Sequence, residues 1–318
     1  VLFTPLRAGE LELPNRVVMA ALSRGRVADP GVPAALAALY YGQRAAAGLV
    51  TSEAIHPEPA GRGTTRSAGI HTAAQQAAWQ RVVGAVHAIR GRIVAQLLHT
   101  GRLGAAALLP PGGRLVGPSA QRAPGGPWLP GSGDQWDVPE ELTSDGIAAV
   151  IGSYVTAAAA ARAVGFDGVE LHVGAGSLPG QFLCPEANTR ADGYGGDTAG
   201  RARFVLELLE ALVAAAGPGR LGVKLTPDVG WHGLVDATPR DTWAYLVRAL
   251  NGFPLAYLHV VQLRPGTDYH RLCRLLYDGV YVAGGGLTPD TARQAVAVGE
   301  ADAVAFGRAF IANPDLPT

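Results

Sequence analysis

Eight times along this chain a short run rich in β-branched residues gives way to a loop, and most of these loops lead into an amphipathic stretch of helical period. This recurrence restricts the fold more than any other feature. The runs are Val17 to Ala20, Leu49 to Ala54, Arg92 to Leu97, Gly168 to His172, Leu221 to Thr226, Leu255 to Val261, Val280 to Gly284 and Asp302 to Gly307. The helical stretches include Val32 to Ala47, Thr72 to Arg90, Asp145 to Val164, Gly200 to Ala216, Pro239 to Leu250 and Pro289 to Val298. Thr143-Ser144 before Asp145 and Thr288 before Pro289 are start signals, because their hydroxyls can accept from orphan N–H groups of a first turn. Strands alternating with helices make a parallel sheet, and eight such units close it, so the expected fold is α/β, a (β/α)8 TIM barrel. A doubly wound open sheet is the structural alternative, weakened by the lack of a G-x-G-x-x-G fingerprint after the first strand.

Two segments stand outside the repeat. Thr4 to Leu13, alternating around Ala8-Gly9, is expected as an N-terminal β-hairpin plugging the end of the barrel opposite the active face. His99 to Thr143, rich in Gly and Pro and carrying Trp128 and Trp136, is expected as a long capping loop after strand 3. With 318 residues and 48% apolar content, positions 1–318 form one domain with ample core. The chain starts without a Met and stops at Asp315-Leu316-Pro317-Thr318, as a domain whose ends continue further would.

The charges, 26 basic and 26 acidic, cancel, so no field favours nucleic acid or an anionic membrane, and a small neutral ligand is the expected partner. Cys184 and Cys273 are too few for a disulfide framework or structural zinc and suit reduced thiols in a cytoplasmic protein. The eight histidines show no H-x-x-x-H or Cys/His cluster, so no metal is expected. No uninterrupted apolar run is expected to span a bilayer, since Arg162 breaks the Ala-rich stretch 155–164. Oligomeric state is left open, a homo-oligomer included.

In a barrel, chemistry gathers at the C-terminal strand ends. Strand 7 ends in Ala283-Gly284-Gly285-Gly286 and strand 8 in Phe306-Gly307-Arg308, loops that commonly hold a phosphate on backbone N–H groups, with Arg308 adding a charge-assisted pair; tight turns and a surface arginine are the plainer alternative. Lys224, the one lysine of the chain, lies in strand 5. Buried there it requires a negative partner or loses its proton, which leaves open an anionic cofactor atom, a Schiff base, or pairing with a carboxylate such as Glu170. Gln96 on strand 3 offers an amide able to read a heterocycle with both C=O and N–H edges. His172 ends strand 4 in Glu-Leu-His-Val-Gly-Ala-Gly-Ser, where Ala175 and Ser177 follow it; Ala-Gly-Ser-Leu-Pro is not a nucleophile elbow.

The residues resemble the Old Yellow Enzyme family of FMN-dependent ene-reductases over nearly the whole chain. The likeness is carried by Leu-Pro-Asn-Arg-Val-Val-Met-Ala (13–20), Tyr-Tyr-Gly-Gln-Arg-Ala-Ala-Ala-Gly (40–48), Gly-Phe-Asp-Gly-Val-Glu-Leu-His (165–172), Tyr-Gly-Gly (194–196), Arg-Ala-Arg-Phe (201–204) and the run from Ala301 to Leu316. The resemblance implies a (β/α)8 barrel that binds FMN, takes hydride from NAD(P)H and delivers it to an activated C=C of an α,β-unsaturated carbonyl compound. It implies a flavin site of Ala21, Ser23 in place of the family's Thr or Cys, Ala54 against the ring, Gln96 on the pyrimidine edge, Lys224 near N1 and O2, and Gly285, Gly286, Gly307 and Arg308 at the phosphate. It implies that His172 grips the substrate carbonyl, while Ala175 stands where a second donor is usual and Ser177 where a proton-donating Tyr is usual. Both departures touch chemistry rather than fold, so a specialised dehydrogenase or redox-neutral isomerase, or a flavin-binding protein without turnover, stays open. His232 and Tyr269, on neighbouring loops, are the first substitutes expected in the substrate site.

Overall fold

The computed structural model describes residues 1–127, 134–174, 176–264 and 266–317. Trp128 and Ala175, singled out above, lie outside the described residues. All eight expected strands form: β1 (Val17–Met19), β2 (Leu49–Thr51), β3 (Ile93–Leu97), β4 (Gly168–Gly174), β5 (Leu221–Thr226), β6 (Tyr257–Val261), β7 (Tyr281–Gly284) and β8 (Ala303–Phe306). Each pairs in parallel with its sequence neighbours, and β8 returns to β1 through Val304↔Val17, Ala305↔Val18 and Phe306↔Met19, so the sheet is a closed barrel and not an open one.

The helices are α1 (Leu36–Gly42), α2 (Ala73–His87), α3 (Ser144–Ala163), α4 (Leu178–Leu183), α5 (Thr198–Ala216), α6 (Pro239–Leu250), α7 (Tyr269–Leu276), α8 (Pro289–Ala297) and α9 (Arg308–Ala312). The start signals act as expected, since Thr143 accepts from Gly146 N at 3.1 Å and Thr288 from Thr291 N at 3.2 Å. Helix α1 is shorter than the stretch expected, because Pro33 lies just upstream and residues 28 and 32 form a β-bridge. One expectation is corrected outright. Helix α3, at 20 residues, is long and apolar enough to cross a membrane by length and composition. In this fold it is a barrel helix, with Ile147, Val150, Tyr154, Ala157, Ala158 and Ala161 buried against the core. Arg162 sits in its last turn, where its guanidinium reaches the carbonyl of Phe166.

The hairpin forms as expected, with Leu6–Ala8 antiparallel to Leu11–Leu13. Its buried Ala8, Leu11 and Leu13 join Val18, Leu49, Val94, Ala256, Tyr257, Val282, Ala303 and Ala305 in one cluster distinct from the outer core. That apolar plug closes the bottom of the barrel, so polar chemistry is confined to the other mouth. Over that mouth the long segment after β3 builds a satellite core of Leu103, Ala123 and Trp136. Arg102 from this segment donates to the carbonyls of Gln121, His232 and Gly233, which ties the cap to the loop after β5.

Candidate active site

Directly above the apolar plug lies a polar layer. Its centre is Glu170 on β4, fully buried. Gln96 Nε2 donates to its Oε1 at 2.6 Å, while Tyr257 OH at 3.0 Å and His259 Nδ1 at 3.2 Å converge on its Oε2. Because β4 and β6 are separated by β5, these contacts can only pass through the barrel interior. Gly222 on β5 makes the crossing possible, for a Cβ there would stand 2.3 Å from Tyr257 Cζ. Burial alone would raise the Glu170 pKa, but the hydrogen bond and charge of His259, the charge of Lys224 and the Gln96 amide outweigh it and hold the carboxyl below its ordinary range.

The other candidates sit on this layer or at the rim above it. His172 follows Glu170 by two residues on the same face of β4 and is buried; it is in register with Lys224, which is in turn in register with His259. Burial lowers the Lys224 pKa and the Glu170 charge raises it, yet no direct ion pair joins them among the described residues. The lysine is partly exposed at the mouth, so pairing with Glu170 does not account for it fully. Ala21 and Ser23 follow β1, Ala54 follows β2, and Ser23 is exposed. Gly285 follows β7 with φ +96°, and a Cβ on it would meet Gln262 O at 2.1 Å, so only glycine fits there. Gly286 has φ +69° and open space beside it; Gly307 precedes α9, whose first residue is the exposed Arg308.

Ser177 is engaged as a helix cap. Its side chain is fully buried and caps α4, accepting from Gly174 N at 3.0 Å and Gly180 N at 3.2 Å and donating to Gly174 O at 2.9 Å. In this arrangement the hydroxyl gives its one proton to a carbonyl, the pattern of a helix cap. His232, in the loop after β5, packs against Trp231 with ring centroids 5.1 Å apart and against Trp136 of the cap at 5.6 Å. Burial lowers its pKa, a backbone hydrogen bond at Pro124 opposing and the Arg102 charge assisting. Tyr269 opens α7 and is buried; burial and the charge of Asp228 push its pKa up to about 12, so it stays protonated at neutral pH.

Sequence reasoning missed Tyr257 and His259 and treated Glu170 only as a partner for lysine. A signal existed: Tyr257 and His259 are alternate residues of an otherwise apolar strand, and a period of two puts both inside the barrel.

This donor set fits a flavin mononucleotide. The site offers a cation beside a partly open mouth, an oriented amide, a glycine cradle that no side chain fills, and His259 Nε2, a buried polar atom without a hydrogen-bond partner among the described residues. A closed (β/α)8 barrel furnished in this way defines the class of flavin-dependent barrel oxidoreductases.

A family model described as NADH:flavin oxidoreductase / NADH oxidase matches residues 1–318. 12-Oxophytodienoate reductase 1 of Oryza sativa subsp. japonica is 36% identical over 326 residues, covering 99% of this chain and 84% of the relative. 12-Oxophytodienoate reductase 2 of Arabidopsis thaliana is 34% identical over 329 residues, covering 99% and 87%. Among solved structures, morphinone reductase in complex with tetrahydroNAD superposes with a TM-score of 0.94 at 42% identity, covering 99% of this chain and 89% of that one. The Old Yellow Enzyme homologue from Zymomonas mobilis also reaches a TM-score of 0.94, at 35% identity and 99% and 91% coverage. The chain belongs to the Old Yellow Enzyme family. It is an FMN-dependent NAD(P)H oxidoreductase of the kind that reduces activated C=C bonds.

Proposed function

We propose that this protein reduces the C=C bond of an α,β-unsaturated carbonyl compound with His172 as its principal side-chain donor to the carbonyl oxygen, and without a protein hydroxyl at position 177 delivering the proton. The observation that carries this reading is the triple engagement of the Ser177 hydroxyl within its own helix cap. Bound FMN supplies hydride exchange between the nicotinamide and the substrate carbon. Gln96 and Lys224 bind the pyrimidine side of the ring, where Lys224 favours negative charge, and Ser23, Ala21 and Ala54 line the ring itself. Gly285, Gly286, Gly307 and Arg308 hold the phosphate. His172 stabilises the charge that builds on the substrate oxygen, a role in which one donor is worth about 3 kcal/mol in well-studied oxyanion sites. Tyr269 remains protonated and, with His232 on the next loop, is the first protein group to test as a proton source. A substrate carrying its own hydroxyl or amine can make up for the missing donor at Ala175, which favours one metabolite over a broad set of enones. Cys184 and Cys273, both free and buried, support a reducing compartment such as the cytoplasm.

Stopped-flow reduction with NADPH and with NADH, followed by mixing the reduced enzyme with cyclohexenone, tests both halves. The expected result is prompt flavin reduction and slow reoxidation, with Ala175→Asn speeding reoxidation by on the order of a hundredfold. Fast reoxidation by cyclohexenone in the wild type, unaltered by Ala175→Asn, overturns the reading.

A further inference from the structure

The carboxylate of Glu170 is fully buried at the floor of the site, where it contacts Gln96, Tyr257 and His259. A carboxylate is an acceptor only, so the 2.6 Å contact from Gln96 fixes the amide with its NH2 toward Glu170 and its carbonyl oxygen turned away. Rotation of the Gln96 amide by half a turn would set two buried oxygens against each other. The two residues are held side by side by the register of β3 and β4, which pairs Gln96 with Glu170 directly. On its other oxygen Glu170 takes Tyr257 and His259, so it is itself pinned from the far wall of the barrel. Lys224 lies two residues beyond Gly222, the register partner of Glu170 on the adjacent strand, so both side chains belong to the inward face and the Glu170 charge acts on the lysine there.

We propose that Glu170 is a positioning residue for the flavin site: it locks the Gln96 amide so that a carbonyl oxygen, and not an NH2 group, is turned toward the imide N–H of the flavin pyrimidine. In addition it offsets part of the Lys224 charge and thereby keeps the reduction potential of the bound cofactor lower than the lysine alone would set it. This inference rests on the reading that Gln96 and Lys224 contact FMN. Two consequences separate its positional part from its electrostatic part. Glu170→Gln keeps the shape, removes the charge and permits the Gln96 amide to turn. Glu170→Asp keeps the charge but draws the carboxylate back by one methylene from Gln96.

The experiment measures FMN dissociation by fluorescence and the midpoint potential by dye equilibration, on wild type, Glu170→Gln, Glu170→Asp and Gln96→Ala, with circular dichroism of each. Glu170→Gln is expected to weaken FMN binding at least tenfold. It should also raise the preference for reduced over oxidised FMN about tenfold, which for a two-electron couple is roughly 30 mV. Glu170→Asp is expected to weaken binding similarly with the potential near that of wild type. In a Gln96→Ala background, Glu170→Asp should cost no further affinity. Folded Glu170 variants with wild-type affinity and potential overturn the proposal, as does an Asp variant whose loss persists undiminished without the Gln96 amide. If neither variant folds without cofactor, Glu170 is a folding residue and the proposal is likewise overturned. Wild-type protein that does not bind FMN, or a Gln96→Ala variant that binds it normally, fails the underlying reading instead.

Discussion

Replacing Ser177 with alanine separates a helix cap from an acid. The hydroxyl serves two buried N–H groups, those of Gly174 and Gly180, and donates to the carbonyl of Gly174. That carbonyl keeps a second donor in Ser177 N at 3.0 Å, so the loss falls on the two N–H groups. A lost serine cap costs about 0.5–2 kcal/mol, and a buried donor left without an acceptor about 1–3 kcal/mol. Together these give roughly 1.5–5 kcal/mol of lost stability for Ser177→Ala, a loss that a domain near the middle of the usual reserve of about 5–15 kcal/mol survives. Urea unfolding of wild type and variant measures it. Reoxidation of the reduced flavin by an enone, followed in H2O and D2O, should retain its rate and its solvent isotope effect, since no proton leaves this hydroxyl. A variant that unfolds at the wild-type urea midpoint while reoxidising a hundredfold more slowly would refute the reasoning and return Ser177 to catalysis.

Further outcomes are expected elsewhere in the barrel. Lys224→Met should bind FMN more weakly and shift its potential downward, as redox titration would report, because the cation no longer favours charge on the reduced ring. Gly222→Ala should lower thermal stability by about 1–3 kcal/mol or more, since its Cβ would lie 2.3 Å from Tyr257 Cζ in a packed interior. Burial, with His71 and Arg62 adding repulsion, lowers the pKa of His56 to about 3. The unfolded chain therefore takes up a proton below about pH 6.5 that the folded chain refuses, and stability falls toward acid by up to about 1.4 kcal/mol per pH unit until the folded value is reached. Unfolding curves of His56→Gln between pH 7 and 4 should lack that part of the slope.

The barrel was legible because alternation and helical spacing are properties of each segment taken alone. All eight strands fall where the apolar runs lie, and Thr143 and Thr288 mark helix starts because a cap is a local device. The short helices α4, α7 and α9 were not found, for six, eight and five residues hold too little periodicity to separate a helix from a loop. At the site, Lys224 and Gln96 stood out as polar residues in apolar strands, and the glycines as breaks at strand ends. The network that holds them did not stand out. Tyr257 and His259 meet Glu170 across a strand that lies between them, a contact set by barrel closure and by the absence of a side chain at Gly222. The hydrogen bonds of Ser177 were hidden for a different reason: family position indicates which residue type is usual at a site, whereas rotamer and neighbours decide where its proton points.

The pairing of β8 with β1 has a consequence for how the protein is made. Val304 N bonds to Arg16 O, Arg16 Nη1 reaches Asp302 O at 2.8 Å, and Arg44 Nε reaches Phe310 O at 2.8 Å, so the opening and closing segments are stitched together late in the chain. Ser23 comes from one extremity and Gly307 and Arg308 from the other. During vectorial synthesis the first six or seven strands can associate as they emerge, but they present an unsatisfied edge at β1 until the eighth strand leaves the ribosome. Until that moment neither the closed barrel nor the proposed phosphate cradle exists, so a chain cut before Gly307 and Arg308 is expected to bind no FMN.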